Sequence, residues 1–338
     1  MPFDPDAAAP SASGLFGLSF TPEEARVVLI PVPFDATTSY RAGTARGPQA
    51  ILEASRQVDL FDLDTGRPYQ AGIAMLPLPA EVAAWNTEAR ALALPIIEAG
   101  GEGSDPQALA KVNALCGQMN DWVGATARAW LARGKVVGVV GGDHSTPFGS
   151  IAAHADRFPG LGVLHLDAHA DLRPAYEGFT WSHASIMHNV LERVPGVSRL
   201  VQVGIRDFSE GEYQAITGAQ GRVHTFFDQR LSRARLDGMP WREQVDAVVA
   251  ELPRDIYCSF DIDGLDPTLC PHTGTPVPGG LSFAQAVALL EGVVRAGKRI
   301  VGFDLNEVAP GTGDDQWDGN VGARLLYQLI GWTLVSQR

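Results

Sequence analysis

The sequence alternates short apolar runs with longer amphipathic stretches, and this alternation restricts the fold more than any other feature. The runs are rich in β-branched residues and nearly continuous, as in strands that are buried on both faces of a sheet. They cover residues 26–31, 135–140, 161–166, 199–203, 255–260 and 299–303. Because helical patterns lie between them, the sequence predicts a three-layer α/β/α fold with a central, mainly parallel sheet.

Two of the intervening stretches carry apolar residues at helical spacing. These are Val112, Leu115, Met119 and Trp122 in one stretch, and Phe283, Val287, Leu290 and Val294 in the other. Ser282 and Gln285 predict a capping box at the start of the second helix. Residues 99–107 are predicted to form a loop within a domain. We expect a single domain over residues 26–338, after an N-terminal tail over residues 1–25 that is loose or packed on a partner.

The composition argues against several classes of protein. The 338 residues carry a formal net charge of -13 and no tract of five Lys or Arg residues, so nucleic acid is not an expected partner. No apolar run reaches the roughly 18 residues that a membrane span needs. The three cysteines, Cys116, Cys258 and Cys270, lack metal-site spacing and indicate reduced thiols in a cytoplasmic protein.

Ionisable side chains follow four of the predicted strands at the point where each strand ends. Ligands of open α/β sheets bind at the carboxyl ends of the strands, so these side chains should lie together. They are His144 after the first of the four strands, Asp167, His169 and Asp171 after the second, Asp261 and Asp263 after the third, and Asp304 and Glu307 after the last. This arrangement is the strongest indication of function in the sequence.

The spacing of these residues predicts a metal centre. The expected ligands are His144, Asp167, His169, Asp171, Asp261 and Asp263. Within a strand end they lie two residues apart, so their side chains face one way. Without a cation the buried carboxylates would repel one another. Six ligands suit two ions that share carboxylates, and four Asp with two His and no thiolate favour Mn²⁺, then Ni²⁺, Fe²⁺ or Co²⁺, over structural zinc.

Each fragment has a simpler interpretation when it is taken alone. His144 after a glycine pair could be an ordinary core or loop histidine. The run "DIDGLD" could begin a calcium loop, but the twelfth position from Asp261 is His272 rather than Glu. The run "DAH" begins a metallophosphatase pattern, but the next His-Asn pair, His188 and Asn189, lies in a predicted helix. Together, in this order and at strand ends, the fragments favour a binuclear site.

Six short motifs of this sequence resemble those of a known family. "GGDHS", "HLDAHADLR", "SHAS", "SFDIDGLDP", "TGTPVPGGL" and "DLNEVAP" are similar to motifs of the ureohydrolases, which include arginases, agmatinases and related guanidino hydrolases. The resemblance runs from about residue 27 to residue 331. It implies an arginase-like α/β/α domain that binds two Mn²⁺ ions and forms trimers or hexamers. It also implies that the six residues named above are the metal ligands.

The resemblance assigns roles to two further residues. His183, in "SHAS", falls on a histidine that shuttles protons near the substrate, and Glu307 falls on the carboxylate that receives the guanidinium group. The chemistry agrees, because a carboxylate pairs with the guanidinium fork and a histidine can protonate the departing amine. The alternative for His183 is a solvent-facing residue at the start of a helix. Asp266 and Asp304 are expected in turns or in support of ligands.

One position departs from the arginase pattern and bears on the substrate. Arginases carry Asn where this sequence has Arg173, so L-arginine is disfavoured, and the motifs are more similar to agmatinases. The long N-terminal segment and residues 314–320 suggest a less-characterised branch, for which guanidinobutyrate and guanidine itself are candidate substrates. Arg173 could pair with Glu177 or Asp171 and shape its loop, or it could reach the tail of the substrate and favour a carboxylate there.

The leading hypothesis is therefore an agmatinase-like hydrolase that converts agmatine to putrescine, or acts on a related guanidino compound, and releases urea. It would use two metal ions and form a homo-oligomer, without nucleic acid or membrane as a partner. The first alternative is a formimidoylglutamase or another hydrolase of C–N bonds on the same scaffold. The second is a relative that binds metal or protein without catalysis, which the complete ligand set disfavours.

Overall fold

The computed structural model describes residues 4–101, 105–313 and 315–338. Its strands are β1 Val27–Pro31, β2 Ile73–Met75, β3 Val136–Val140, β4 Leu161–Leu166, β5 Val197–Ile205, β6 Val223–Phe227, β7 Asp255–Asp261 and β8 Arg299–Asn306. Its α-helices are α1 Gly47–Ala54, α2 Ala80–Glu98, α3 Pro106–Ala132, α4 Phe148–Arg157, α5 Ile186–Arg193, α6 Glu210–Gly218, α7 Asp228–Leu236, α8 Trp241–Ala250, α9 Phe283–Arg295 and α10 Trp317–Ser336.

The eight strands form one sheet in the order β2-β1-β3-β8-β7-β4-β5-β6. Every neighbouring pair is parallel. All six predicted strands are present, and the predicted fold class is confirmed. The two strands that the sequence did not reveal, β2 and β6, lie at the edges of the sheet. The first has only three residues, and three of the five residues of the second are partly exposed, so neither gives a continuous apolar run.

Helices cover both faces of the sheet. Alternate residues of β4 show this, because Leu164 and Leu166 join one apolar cluster while Leu161 and Val163 join another. The first cluster contains side chains of α1, α8, α9 and α10. Side chains of α2 and α3 form a second cluster, and those of α4 and α5 contribute to the third. These contacts make three layers and leave the carboxyl edge of the sheet open for a site.

The local predictions for the helices are confirmed. Ser282 accepts a hydrogen bond from the Gln285 backbone, and the Gln285 side chain accepts one from Ser282 N–H at 2.9 Å, which is the expected capping box. The apolar residues predicted for the first helix lie on α3 and face the core, with Trp122 partly buried. The predicted loop at 99–107 is two residues too long, because Pro106 and Gln107 already belong to α3. Residues 102–104 of the loop fall outside the described part of the chain.

Part of the expected N-terminal tail packs on the chain itself. Leu15, Phe16 and Leu18 are buried, and the Phe16 ring lies 4.9 Å from the Tyr327 ring on α10. Phe16 N–H also donates to Ser55 Oγ at 2.9 Å. The expectation of a tail that is loose or packed on a partner is therefore wrong for these residues, because their apolar side chains complete the chain's own core. The boundary at residue 25 stays a prediction.

The described helices do not include one that has both the length and the apolar character to cross a membrane. Cys116, Cys258 and Cys270 are buried free thiols, as the sequence predicted.

Candidate metal centre

The predicted site residues meet at the carboxyl edge of the sheet. The strands β3, β8, β7 and β4 are consecutive neighbours in the sheet, so the segments that follow them converge. Asp261 is the last residue of β7, and Asp263 lies in a short 3-10 helix, Ile262–Gly264, that follows this strand. Glu307 comes directly after β8. The expectation that these strand ends share one site is confirmed.

The glycine pair before His144 is required by a close approach of backbones. A Cβ atom on Gly142 would lie 1.9 Å from the carbonyl oxygen of Phe34, and one on Gly141 would lie 1.9 Å from Asn306 Oδ1. Any larger residue would push the turn away from the sheet. The two glycines therefore allow the chain to bring His144 over the ends of β7 and β8.

Four side chains form what we call the first group. His144 Nδ1 lies 2.9 Å from Asp167 Oδ2 and 3.3 Å from Asp171 Oδ2. The same nitrogen lies 3.3 Å from Asp261 Oδ2. Asp171 adopts a left-handed backbone with φ 53°, and its Oδ2 is buried with no hydrogen-bond partner among the described residues. One nitrogen and three carboxylate oxygens thus point at a common centre.

A second group shares Asp167 with the first. His169 Nδ1 lies 3.1 Å from Asp263 Oδ2 and 3.5 Å from Asp167 Oδ1. Asp167 therefore turns one carboxylate oxygen to each group. The six predicted ligands are all brought together, in two clusters joined by a single carboxylate. This is the arrangement that two metal ions with a shared ligand require.

The electrostatics of the first group suit a bound cation. Burial, and then the neighbouring Asp263 and Asp167, raise the pKa of Asp261 well above its usual range. Burial and Asp167 raise the pKa of Asp171 to about 7. Burial acts in the same direction on Asp167, but His165, His144 and His169 outweigh it and hold the pKa of that carboxyl well below its usual range. Divalent cations would neutralise these carboxylates, and the oxygen and imidazole donors suit such ions.

The tautomer of His144 suits a ligand. Its Nε2 lies 2.9 Å from Ser259 Oγ, and that hydroxyl donates its only hydrogen to Asp304 Oδ1 at 3.0 Å. Ser259 must therefore accept from Nε2–H, so the neutral imidazole would present its Nδ1 lone pair to a cation held among the carboxylates. Asp304 supports His144 instead of joining the cluster, as predicted.

Glu307 is held with one carboxylate oxygen in use and the other unused. Its backbone is left-handed, with φ 62°, and its Oε1 accepts from His144 N–H at 2.9 Å. Thr273 Oγ1 donates to its carbonyl oxygen at 2.8 Å, so the segment that carries the motif "TGTPVPGGL" contacts the site. Its Oε2 is buried without a hydrogen-bond partner in the described part of the chain. Burial, and then Asp143, raise the pKa of Glu307 well above its usual range.

His183 is buried and faces the site, so the solvent-facing alternative is wrong. It begins the turn His183–Ser185 ahead of α5, and only 9% of it is exposed. Its Nε2 lies 3.5 Å from Ser39 Oγ. Burial, and then the charge of His169, lower the pKa of His183 to about 4. At neutral pH its imidazole is therefore neutral and can accept a proton.

A cavity of about 150 Å³ gives access to these groups. It is lined by Ser39, His169, Asp171, Arg173, Tyr176, His183, Ala184, Asp207, Phe208, Glu212 and Thr275. A larger cleft of about 630 Å³ lies on the far side of Arg173 and Glu212, which line both spaces. Of the predicted site residues, His169, Asp171 and His183 line the smaller cavity, and the Arg173–Glu212 pair forms a wall of it.

The predicted partners of Arg173 are corrected by the structure. Its Nε lies 3.5 Å from Glu212 Oε2, and its guanidinium group stacks 4.7 Å from the Tyr176 ring. Glu212, rather than Glu177 or Asp171, is thus its acid. Glu212 also accepts from Leu172 N–H at 3.1 Å, which ties α6 to the loop after Asp171.

Several residues of the site were missed by the sequence reasoning. His165 and Ser259 each precede a predicted ligand by two residues, so the alternation that found the ligands could have found them as well. Asp207 follows β5 as the other acids follow their strands, but the apolar run that predicted this strand ends at residue 203, four residues earlier. Glu212 gives no such signal, because it lies within the first turn of α6.

Comparison with known proteins agrees with this geometry. A sequence model of the arginase family matches residues 25–331. The chain is 37% identical over 322 residues to an N(1)-aminopropylagmatine ureohydrolase of Thermus thermophilus, with 94% of each chain covered. It is 30% identical over 325 residues to an agmatinase of Photorhabdus laumondii, covering 93% of this chain and 90% of the relative.

Solved structures agree as well. The agmatine ureohydrolase of Thermoplasma volcanium has a TM-score of 0.73 at 25% identity, with 94% of this chain and 92% of that chain covered. The resemblance inferred from the motifs is confirmed. With the family model spanning nearly the whole chain and relatives matched over almost their full lengths, the chain belongs to the arginase family.

Proposed function

We propose that this arginase-family hydrolase releases urea from a linear guanidino compound with a cationic tail, in the manner of an agmatinase. The observation that carries the proposal is the free, buried Oε2 of Glu307 beside two ligand groups that share Asp167. An acceptor that lacks a donor suits the N–H fork of a guanidinium ion. An amide or formimino substrate has less need of it, and the relatives are ureohydrolases, so the formimidoylglutamase alternative is not favoured.

The proposed cofactor is a pair of divalent metal ions, Mn²⁺ in preference to Ni²⁺. His144, Asp171 and Asp261 would hold one ion, His169 and Asp263 the other, and Asp167 both. When bound, the ions supply a nucleophile from water at neutral pH. The donor set supports hard or borderline ions in general, and the choice of Mn²⁺ rests on the family resemblance.

The side chains of this chain would perform the remaining steps. Glu307 Oε2 would bind the guanidinium group and fix its carbon, because Oε1 is already held by His144 N–H. His183 would take up a proton released from water and pass it to the nitrogen that leaves. Once the water oxygen has bonded to the guanidinium carbon, the C–N bond to the tail breaks and the amine departs with that proton. The remaining protonated urea gives its extra proton to solvent and leaves as urea.

The cavity mouth supports a cationic tail. The side chain of Asp207 is 69% exposed and lies 4.0 Å from His169, while Arg173 is occupied by Glu212 and Tyr176. The mouth therefore presents a carboxylate to an incoming amine. The names of the relatives, N(1)-aminopropylagmatine ureohydrolase and agmatinase, fit such a tail.

A substrate panel tests both the reaction and the tail. Mn²⁺- or Ni²⁺-loaded protein should release urea from agmatine and aminopropylagmatine faster than from arginine, guanidinobutyrate, guanidinopropionate or guanidine. Asp207→Asn should lower kcat/KM for the amine-tailed substrates by about five-fold, the effect of an exposed charge pair, and leave guanidine unchanged. Glu210→Gln, a nearby acid outside the cavity, is the control. No urea from any compound would refute the function, and an equal loss for guanidine would refute the role of Asp207.

The wall formed by Arg173 gives a second prediction. Arg173→Ala should lower kcat/KM for all substrates in the same proportion, because it removes the pairing with Glu212 and the stacking on Tyr176 that shape the cavity. The melting temperature should fall by about 2 °C, as expected for a partly exposed pair. The same panel and a thermal melt measure both effects. A selective loss of the carboxylate-tailed substrates would show instead that Arg173 contacts the substrate.

We also propose that the protein is a cytoplasmic homo-oligomer, a trimer or hexamer, with residues 26–338 as one domain. The buried free thiols support a reducing compartment. The oligomeric state rests on the resemblance to the family, and sedimentation would measure it.

A further inference from the structure

His165, the first residue of the motif "HLDAHADLR", has no role in the proposed reaction, although it contacts Asp167 in the proposed metal centre. His165 lies on β4 and is wholly buried, and its Nε2 is 2.8 Å from Asp167 Oδ2. His144 Nδ1 lies 2.9 Å from the same oxygen. Distances alone would admit His165 as a further ligand, since it lies with His144, Asp167 and Asp171 in one group that could hold an ion.

The amide of Gln202 decides where His165 carries its proton. Gln202 lies opposite His165 on the neighbouring strand β5, and both side chains are fully buried. Gln202 Nε2 lies 2.8 Å from the carbonyl oxygen of Ala170 and 3.0 Å from His165 Nδ1. A carbonyl oxygen can only accept, so the NH₂ side of the amide must face Ala170, and the second hydrogen then points at His165 Nδ1.

The other end of the amide agrees with this orientation. Gln202 Oε1 accepts a hydrogen bond from Thr225 Oγ1 on β6 at 2.8 Å. A hydrogen on His165 Nδ1 would meet the hydrogens of the amide, so that nitrogen must carry the lone pair. The proton of the imidazole is therefore on Nε2 and points at Asp167 Oδ2, and Nε2 has no lone pair for a metal ion.

We propose that His165 is not a metal ligand but a positioning residue, which Gln202 holds as the Nε2–H tautomer so that it orients the carboxylate shared by the two groups. The inference rests on the binuclear centre of the proposed function. Asp167 is held on both sides, because its Oδ1 accepts from the backbone N–H of His169 while its Oδ2 accepts from His165. Rotation of this carboxylate would withdraw an oxygen from both groups at once.

The test measures Mn²⁺ binding to the full-length protein after chelation of its metal, by calorimetric titration and elemental analysis. His165→Ala should keep two ions per chain but weaken binding by about ten- to a hundred-fold, the usual effect of losing a group that orients a ligand. His165→Gln should restore most of the affinity, since its amide can place an N–H near the former Nε2. His165→Asn should not, because its amide reaches only the position of Nδ1.

Gln202 provides an independent arm of the test. Gln202→Glu places an acceptor opposite His165 Nδ1 and draws the proton away from Asp167, so Mn²⁺ binding should weaken as in His165→Ala. Thr225→Val should have little effect, because Ala170 still orients the amide.

The tautomer itself can be measured. Nitrogen-15 NMR of histidine in Zn²⁺-loaded protein should show the Nε2–H tautomer for His165 in wild type. His154→Gln is the matched control for the Mn²⁺ titration and should bind Mn²⁺ as wild type does. His154 is equally buried, but it hydrogen-bonds to Ser150 on α4.

The outcomes separate this inference from the proposed function. Wild-type protein that binds no metal and releases no urea would refute the proposed function itself. If wild type binds two ions, an unchanged affinity in His165→Ala refutes the positioning role. A loss of one ion in both His165→Ala and His165→Gln would make His165 a ligand and overturn the inference. An Nδ1–H tautomer in wild type would overturn it as well.

Discussion

Replacing Asp167 by Ala should remove bound metal and lower urea release by about a thousand-fold or more, since the nucleophile depends on the ions. The reason is that this carboxylate gives one oxygen to each group, at 2.9 Å from His144 Nδ1 and 3.5 Å from His169 Nδ1. No other ligand in the two groups is shared in this way. Elemental analysis should find fewer than two ions per chain, and a urea assay should find almost no turnover.

The control for this variant lies at the other end of a neighbouring strand. Asp255 begins β7 at the opposite edge of the sheet, where it pairs with Arg299 at 2.7 Å. Asp255→Ala should keep both ions and nearly full activity, with some loss of thermal stability. Unchanged metal content in Asp167→Ala would contradict the shared-ligand assignment, even if activity were lost.

Glu307→Gln should lower kcat/KM by about ten- to a hundred-fold while the metal content stays the same. The amide oxygen can still accept from His144 N–H, so the backbone turn survives. The charged acceptor for the guanidinium group is lost, and hydrogen bonds to charged groups contribute roughly 1.5–3 kcal/mol each. Kinetics with agmatine or aminopropylagmatine would measure the change.

Two results would tell against this role of Glu307. Undiminished urea release would show that Oε2 does not receive the guanidinium group. A parallel loss of metal would show that Glu307 supports the ligands instead, through its contact with His144. The comparison with Asp167→Ala is therefore informative, because only that variant should lose metal.

Most of the centre could be predicted because its signals are local in the chain. Buried parallel strands are continuous apolar runs, and a polar residue directly after such a run must lie at the carboxyl edge of the sheet. Spacing by two residues places Asp167, His169 and Asp171 on one side of the chain, whatever the neighbouring strands are. The edge strands β2 and β6 give no such run, since one is very short and the other is partly exposed.

The partners of these residues depend on contacts between distant segments. Arg173 pairs with Glu212 only because α6 begins beside the loop after Asp171, and the sequence favoured Glu177 or Asp171, which are nearer in the chain. Spacing alone does not exclude Glu177 or Asp171, because the long side chain of Arg173 could reach either of them as well as Glu212.

The tautomers of the buried histidines also depend on contacts between distant segments. Residue order makes His144 a predicted ligand and His165 a neighbour of one, but the hydrogen on each ring is decided by a residue of a distant segment. Ser259 on β7 accepts from His144, and Gln202 on β5 donates to His165. Gln202 meets His165 because β4 and β5 pair in one particular register, and Ser259 meets His144 because the turn after β3 lies over the end of β7. The alternation of side chains along a strand follows from the order of residues in the chain. Which side chain lies opposite on the neighbouring strand depends on strand order and register, and only the folded structure supplies these.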